Sequence, residues 1–181
     1  VLMGIVSVTA LQGAGQFVLF SYFGPILKRD FGADPTTLSL MWALFGVFGL
    51  AGNMLVSRFI DRVAAGRMVL LTSSLIALSL FLWPWAGTLP WLAAVLVPWG
   101  LGCFAANSAQ QARLVGLAPA PAPGSVALNS SGIYVGQAVG AGLGGWLLAN
   151  DAVAWMNWAG FALLLAAIGL SVAIDRSRRP A

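Results

Sequence analysis

The sequence predicts an all-α membrane protein of six transmembrane helices, arranged as two inverted repeats of three helices. Sixty per cent of the 181 residues are hydrophobic and 8% are charged, whereas a soluble domain carries about 25% charged residues. The apolar runs are long enough to cross the hydrocarbon layer, which needs about 20 residues. In addition, the same order of helix chemistry occurs twice along the chain, which is typical of transporter repeats.

Charged residues, glycines and prolines divide the apolar sequence into six spans within a single bundle, residues 1–175. The spans are predicted at about 3–27, 36–58, 67–86, 91–113, 125–148 and 154–174. Asp34 and Pro35 supply an N-cap and a first-turn proline for the second helix. Three prolines predict a loop over 118–124. The apolar sequence starts at Val1 without the features of a signal peptide, which predicts a fragment of a longer protein.

The basic residues predict the orientation of the bundle, because cytoplasmic loops carry an excess of Lys and Arg. Seven of the nine basic residues fall on one side: Arg58, Arg62, Arg67, Arg113, Arg176, Arg178 and Arg179. Seven of the eight tryptophans lie near the opposite ends of the helices: Trp42, Trp83, Trp85, Trp91, Trp146, Trp155 and Trp158. Both termini and the tail, 176–181, are therefore predicted to be cytoplasmic. This distribution of charge does not form the basic face that nucleic-acid binding requires.

The first and fourth helices carry amide side chains on one face. Gln12 and Gln16 are one turn apart in the first helix, and Asn107 and Gln111 are one turn apart in the fourth. An unpaired amide is costly in a membrane, so these side chains should face either an aqueous cavity or a polar partner on a neighbouring helix. The sequence leaves both interpretations open.

The second and fifth helices are rich in glycine, and the third and sixth are the most uniformly apolar. In the fifth helix, four glycines recur with a period of four: Gly132, Gly136, Gly140 and Gly144. Glycines at this spacing allow two helix backbones to approach closely, either as a fixed packing contact or as one that slides. Helices with neither amides nor glycine rows can face lipid.

The composition argues against an enzyme. The chain has no Glu and no His, and Cys103 is its one cysteine, so we expect no metal site and no cofactor. A pair of intramembrane aspartates or a Ser–His pair, which a membrane protease would need, does not occur. A channel or an assembly protein that functions as a homodimer remains an alternative, although a charged ring or re-entrant filter motif is missing.

Three stretches resemble the major facilitator superfamily, in its drug and sugar efflux branch. The stretch Gly52 to Arg62, continued by Gly66 and Arg67, resembles the Gly-x-x-x-Asp-Arg-x-Gly-Arg signature that follows the second helix of each half of the family's twelve-helix fold. The stretches 12–25 and 127–145 extend the resemblance over the chain. Ser57 replaces the first glycine of the signature, and two extra residues precede Gly66.

The resemblance implies half of a major-facilitator fold and assigns roles to its helices. The first and fourth helices would line a central substrate cavity, with candidates Gln12, Gln16, Phe20, Tyr22, Trp99, Asn107 and Gln111. The second and fifth would meet the other half of the protein, and the fifth carries the helix-packing candidates Gly132, Gly136, Gly140 and Gly144. The signature would form a cytoplasmic gate loop, with candidates Gly52, Asn53, Arg58, Asp61, Arg62 and Arg67.

These implications predict the carboxy-terminal half of a secondary active transporter. By resemblance it is an efflux permease, of the drug:proton antiporter kind, that moves drugs or sugars by alternating access. We expect it in the bacterial cytoplasmic (inner) membrane, with the lipid bilayer, a small-molecule substrate and an amino-terminal six-helix half as its partners. The five aspartates lie in or beside the predicted loops, so a proton-carrying carboxylate is expected in the other half.

Overall fold

A computed structural model describes residues 1–117 and 122–177, with the backbone alone at 122 and 123. Within those ranges the chain is helical and contains no strand. The helices are α1 (Leu2–Phe20), α2 (Phe23–Phe31), α3 (Pro35–Phe59), α4 (Ala65–Leu82), α5 (Leu89–Leu117), α6 (Ala122–Ala149) and α7 (Met156–Arg176). Short 3₁₀ turns occur at Trp83–Trp85 and Val153–Trp155. With α1 and α2 counted as one span, six spans are long and apolar enough to cross a membrane, which confirms the predicted fold class.

The first predicted helix, 3–27, is divided into α1 and α2 by a break at Ser21 and Tyr22. Pro25 explains this break, because a proline cannot donate to the carbonyl four residues earlier, here Ser21, and its ring clashes with that carbonyl. The fourth span runs to Leu117, beyond the predicted end at 113. Residues 122–124 of the predicted loop begin α6, and 118–121 lie outside the described residues. Arg176 still belongs to α7, while Arg178 and Arg179 also lie outside that part of the chain.

The start of α3 follows the predicted capping chemistry. The Asp34 carboxylate accepts a hydrogen bond of 2.7 Å from the backbone N–H of Thr37, and Pro35 is the first helical residue. This hydrogen bond stabilises the charged carboxylate and lowers the pKa of Asp34. The preceding helix, α2, ends at Gly32 with a left-handed φ of 60°, a conformation that favours glycine.

The helices pack in a series in which each long contact joins one helix to the next. The order is α6, α1, α7, α4, α5 and α3. The counterparts in the two triplets are α1 and α5, α3 and α6, and α4 and α7. If each helix is replaced by its counterpart, the same series results in reverse order: the contact of α6 with α1 corresponds to that of α3 with α5, and the contact of α1 with α7 to that of α5 with α4. The packing therefore shows the predicted three-helix repeat. It leaves α3 and α6 at the two ends of the series, each packed along a single helix.

The two ends of the bundle have different chemistry. At one end, here called the aromatic end, Trp99 is fully buried, and its ring contacts Phe20, Phe45 and Trp83 at centroid distances of 5.9, 6.0 and 6.3 Å. The opposite end carries Arg58, Arg62, Arg67, Arg113 and Arg176, and is here called the arginine end. The aromatic end is thus held by ring packing, which is worth about 0.5–1.5 kcal/mol per pair beyond area burial.

At the arginine end, Arg113 is a buried residue, although the sequence indicated only a topology-setting charge. Its guanidinium, on α5, donates to the Asp175 carboxylate on α7 at 2.6 Å and to the Ser171 hydroxyl at 2.9 Å. A Cβ atom added at Gly66 would lie 2.6 Å from the same carboxylate. This ion pair ties α5 to α7 beside the first turn of α4.

Candidate functional site

An open cavity of about 380 Å³ lies between α1, α5 and α6. Six of its fourteen lining residues have neutral polar side chains: Thr9, Gln12, Gln16, Asn107, Ser130 and Gln137. The remaining lining side chains are apolar, aromatic or sulfur-containing: Phe17, Phe20, Cys103, Phe104, Ala106, Ile133 and Tyr134. Gly13 completes the lining. The cavity exists because α1 and α5 face each other without packing along their length.

Four of the predicted cavity residues line this cavity: Gln12, Gln16, Phe20 and Asn107. The two glutamines are almost fully buried, and protein partners already hold their amides. Gln12 Nε2 donates to the hydroxyl of Ser73 on α4, and Gln16 Nε2 donates to the backbone carbonyl of Gln12 at 3.3 Å. Both interpretations of these amides therefore apply, because the same side chains line the cavity and take part in pairing between helices.

The other three predicted cavity residues lie outside the lining. Trp99 sits behind it, fully buried, and its indole N–H donates to Gln16 Oε1 at 3.1 Å. Tyr22 donates its hydroxyl to the backbone carbonyl of Ala141 on α6 at 2.9 Å. Gln111 lies one turn from the lining, where its Nε2 is 3.4 Å from Asn107 Oδ1.

The cavity-lining side chains of α6 were not among the residues predicted from the sequence. Ser130, Ile133, Tyr134 and Gln137 line the cavity beside the row of glycines. A signal was available, because these residues occupy the helix face next to the glycines and include hydroxyl and amide groups. The glycine period and the family resemblance predicted only contact roles for this helix.

The four glycines of α6 lie against the backbone of α1. A Cβ atom at Gly136 would overlap the carbonyl of Ala10, and one at Gly140 would overlap the carbonyl of Ala14. Gly132 and Gly144 repeat this approach one turn before and one turn after. In contrast, a Cβ atom at Gly142 would meet nothing within 4 Å. The two helices thus approach closely along one stripe, as small residues allow.

The residues of the predicted gate loop separate into two groups. Gly52 and Asn53 belong to α3, where Gly52 lies against the carbonyl of Leu101 and Asn53 accepts a hydrogen bond of 2.6 Å from Ser108. The charged members are exposed at the arginine end, but only Asp61 and Arg62 lie in the loop, since Arg58 belongs to the last turn of α3 and Arg67 to the first turn of α4. Among the described residues none of those four forms an ion pair; the pair at this end is Arg113 with Asp175.

The electrostatics of the cavity are those of a neutral site. Its lining, as described, contains amides, hydroxyls, aromatic rings and one thiol, but no charged side chain. Across 1–117 and 122–177, no group of His, Cys, Asp or Glu side chains could hold a metal ion. A charged solute would lose its hydration here without gaining a counter-charge from this lining, whereas a neutral solute could exchange hydrogen bonds with water for hydrogen bonds with amides.

Comparison with known proteins gives a family match and several bacterial relatives. The profile of the Major Facilitator Superfamily matches residues 5–181. The uncharacterized MFS-type transporter YbcL of Bacillus subtilis is 29% identical over 98% of this chain and 44% of its own length. A "Probable sugar efflux transporter" of Helicobacter pylori is 28% identical over 92% of the chain and 43% of its own length. The inner membrane transport protein YdhP of Escherichia coli is 33% identical over 76% of the chain and 36% of its own length. The chain therefore spans less than half of each of these relatives.

Proposed function

The chain belongs to the major facilitator superfamily, and from this we propose that it is the carboxy-terminal half of a secondary active transporter that works by alternating access. The family and the transporter-named relatives point to a transporter rather than an enzyme. The observation that carries the proposal is the neutral polar cavity between α1, α5 and α6. In the whole protein this cavity would face an amino-terminal six-helix half beside it, near the midplane of the membrane.

The lining supports a small, neutral, hydroxyl-bearing solute, such as a sugar, over a cationic drug. Gln137 and Asn107 offer amide donors and acceptors, while Phe17 and Phe104 offer apolar surface for the carbon faces of a ring. A cationic drug would need an acidic partner, and the described lining of this half supplies none. One relative bears the name of a sugar efflux transporter, which supports outward transport.

The proposed topology places the arginine end at the cytoplasm. The exposed arginines at that end and the tryptophans at the other satisfy both the positive-inside rule and the aromatic-belt rule. Both chain termini would then be cytoplasmic. The relative from Escherichia coli is named an inner membrane transport protein, and we place this chain in the bacterial inner membrane as well.

The series of helices suggests how such a half could operate. The peripheral helices α3 and α6 expose large apolar side chains: Val47, Leu50 and Met54 on α3, and Val135, Val139 and Trp146 on α6. These surfaces would meet lipid and the other half, as in the roles implied for the second and fifth helices. The rest of the bundle would rock as one unit against its partner.

The experiment measures solute movement by the full-length protein in proteoliposomes. The probes are labelled pentose and hexose sugars, with ethidium as the cationic comparison. Asn107→Ala and Gln137→Ala should each lower sugar flux at least about fivefold, because each removes a hydrogen bond worth about 1 kcal/mol. The amount and thermal stability of the reconstituted protein should stay unchanged.

Asn150→Ala is the matched control, because Asn150 is an exposed amide just after the end of α6 and outside the cavity lining. It should leave sugar flux unchanged. Equal losses for Asn150→Ala and the two cavity variants, or flux of ethidium without flux of any sugar, would contradict the proposed substrate class. A channel that functions as a homodimer, the alternative function, would show flux through the 181-residue chain alone, without the amino-terminal half.

A further inference from the structure

A buried polar cluster closes the cavity at the arginine end, where α1, α5 and α6 meet. Its members are Thr9, Gln110 and Asn129, and both amide side chains are fully buried. Gln110 Nε2 donates to the Thr9 hydroxyl at 3.0 Å and to the backbone carbonyl of Ile5 at 3.2 Å. Thr9 in turn lies 2.6 Å from Asn129 Oδ1 and donates to it. Thr9 also lines the cavity, so the cluster lies directly behind the cavity wall.

The hydrogen bonds of this cluster leave two atoms without a partner among the described residues: Gln110 Oε1 and Asn129 Nδ2. Turning the Gln110 amide would place its oxygen against the Ile5 carbonyl, so that orientation is unfavourable. Turning the Asn129 amide would leave its oxygen unpaired in place of its nitrogen. One acceptor on α5 and one polar amide atom on α6 therefore remain buried and unpaired in either arrangement.

The chemistry of the two unpaired atoms selects the group that they can bind. In the orientation in which Asn129 Oδ1 accepts from Thr9, the Asn129 amide hydrogens would repel a cation, and the Gln110 side-chain oxygen would repel an anion. A hydroxyl supplies both complements, because its proton can be donated to Gln110 Oε1 and its oxygen can accept from Asn129 Nδ2. Burial of both atoms without such a group disfavours the closed junction.

We propose that Gln110 and Asn129, behind Thr9, form a hydroxyl-binding subsite at the arginine end of the cavity. The subsite opens when α5 separates from α6. These two helices share only a short contact, whereas α6 packs along α1 and α5 packs along α3 and α4. The hydroxyl comes either from water or, resting on the proposed function, from the transported solute.

The first test measures whether the junction opens, and it does not depend on transport. Gln110→Cys and Asn129→Cys are made separately in full-length protein that lacks other cysteines, including Cys103, and each is labelled with N-ethylmaleimide. Ala109→Cys is the matched control, because Ala109 neighbours Gln110 and is fully buried in the core contact of α5 with α4 and α7. Ser130→Cys, in the cavity lining, gives the rate for an open site.

An opening junction labels at positions 110 and 129 at least about tenfold faster than at position 109, as expected for a local opening well below global unfolding. Labelling at both positions that is as slow as at Ala109→Cys would overturn the subsite. If the full-length protein moves none of the sugar probes while labelling at 110 and 129 is fast, the proposed function fails and the subsite stands with water as its ligand.

The second test distinguishes the two sources of the hydroxyl. Asn129→Leu removes the donor at nearly constant volume, and Asn53→Leu is the control at the other asparagine that joins a peripheral helix to its neighbour. If a solute hydroxyl binds, Asn129→Leu lowers flux of the parent sugar about fivefold or more, and one monodeoxy analogue shows no such loss. If water binds, the parent sugar and every analogue lose flux equally. Unchanged flux of all sugars in Asn129→Leu, with the same stability loss as Asn53→Leu, would overturn the proposal.

Discussion

The helices α3 and α6 occupy equivalent places in the two triplets, yet only α6 lines the cavity. Each stands at one end of the helix series and packs along a single neighbour, α3 on α5 and α6 on α1. Each also has one asparagine that accepts a hydroxyl proton from that neighbour, Asn53 from Ser108 and Asn129 from Thr9. The free face of α6 beside its glycines carries Ser130 and Gln137, whereas α3 contributes no residue to the described cavity lining.

Both triplets of the repeat contain a glycine stripe that packs against a neighbouring helix. Only the stripe of α6 has cavity-lining polar side chains beside it. Glycine stripes set the distance between helix backbones in both triplets. The polar side chains that would touch a solute are placed on the flank of one stripe only. The three-helix repeat therefore predicts how the helices pack, whereas the location of the site depends on the residues beside the repeat positions.

The two stripes also differ in length. On α6, four successive glycines lie against α1 backbone or side-chain atoms. On α3, a Cβ atom added at Gly52 would overlap the backbone of Leu101, whereas one added at Gly49 would meet the ring of Phe104. A ring can rotate away from an added methyl group, but a backbone carbonyl can move only with its helix. We therefore expect the contact of α6 with α1 to be the more sensitive of the two.

The largest expected effect comes from the double substitution Gly136→Ala with Gly140→Ala. Each added methyl group meets an α1 carbonyl, so overpacking should cost about 1–3 kcal/mol per site and separate α6 from α1. Thermal unfolding of the detergent-solubilised protein should show a clear fall in Tm. Gly142→Ala is the control on the same helix; it should be neutral or stabilising, because that position is open and alanine favours a helix by about 1 kcal/mol. Equal effects of the double substitution and Gly142→Ala would refute the close approach.

A smaller effect is expected from Gly52→Ala on α3. One methyl group meets the Leu101 carbonyl, so the cost should be about 1–3 kcal/mol in total, less than for the α6 pair. Gly46→Ala, at an open position of the same helix, is the control and should not lower Tm. A larger fall in Tm for Gly52→Ala than for the α6 pair would show instead that the contact of α3 with α5 is the more sensitive of the two.

The smallest effect concerns the start of α3. Because the Thr37 N–H lowers the pKa of Asp34 in the folded protein, the charged cap contributes stability at neutral pH. That contribution is present above the unfolded-state pKa and is lost as the pH falls through the lowered folded-state pKa. Asp34→Ala should therefore lower Tm slightly at pH 7, and the difference from wild type should shrink on acidification. A difference that is constant from pH 7 to pH 3 would contradict the capping role of the carboxylate.

The sequence predicted the architecture well because apolar length and charge placement leave little freedom in a membrane. The period of four in the row from Gly132 to Gly144 likewise predicted a close contact between two helices. The break at Ser21 was missed, although Pro25 four residues later signals it. The burial of Arg113 could not be predicted, since its partner Asp175 lies 62 residues away and only the packing of α5 near α7 brings them together.

The site was predicted only in part, for a related reason. An amide in a membrane helix signals a polar partner, but the sequence does not say whether that partner is a solute or another helix. Gln12 and Gln16 turned out to line the cavity while already paired with Ser73 and Trp99. The contribution of α6 depends on which flank of the glycine stripe faces α5, and this follows from three-dimensional packing.

The most direct test of the account uses Cys103, the one cysteine of this chain, which lies in the cavity lining. In full-length protein without other cysteines, its alkylation by N-ethylmaleimide is followed with and without each sugar probe. We expect a transported sugar to slow alkylation of Cys103 in a saturable manner. We expect no protection of Ser177→Cys, made in a Cys103→Ser background at the exposed end of α7 outside the cavity lining. Alkylation of Cys103 that no transported sugar slows, or equal protection at both positions, would contradict the assignment of the cavity between α1, α5 and α6 as the solute site.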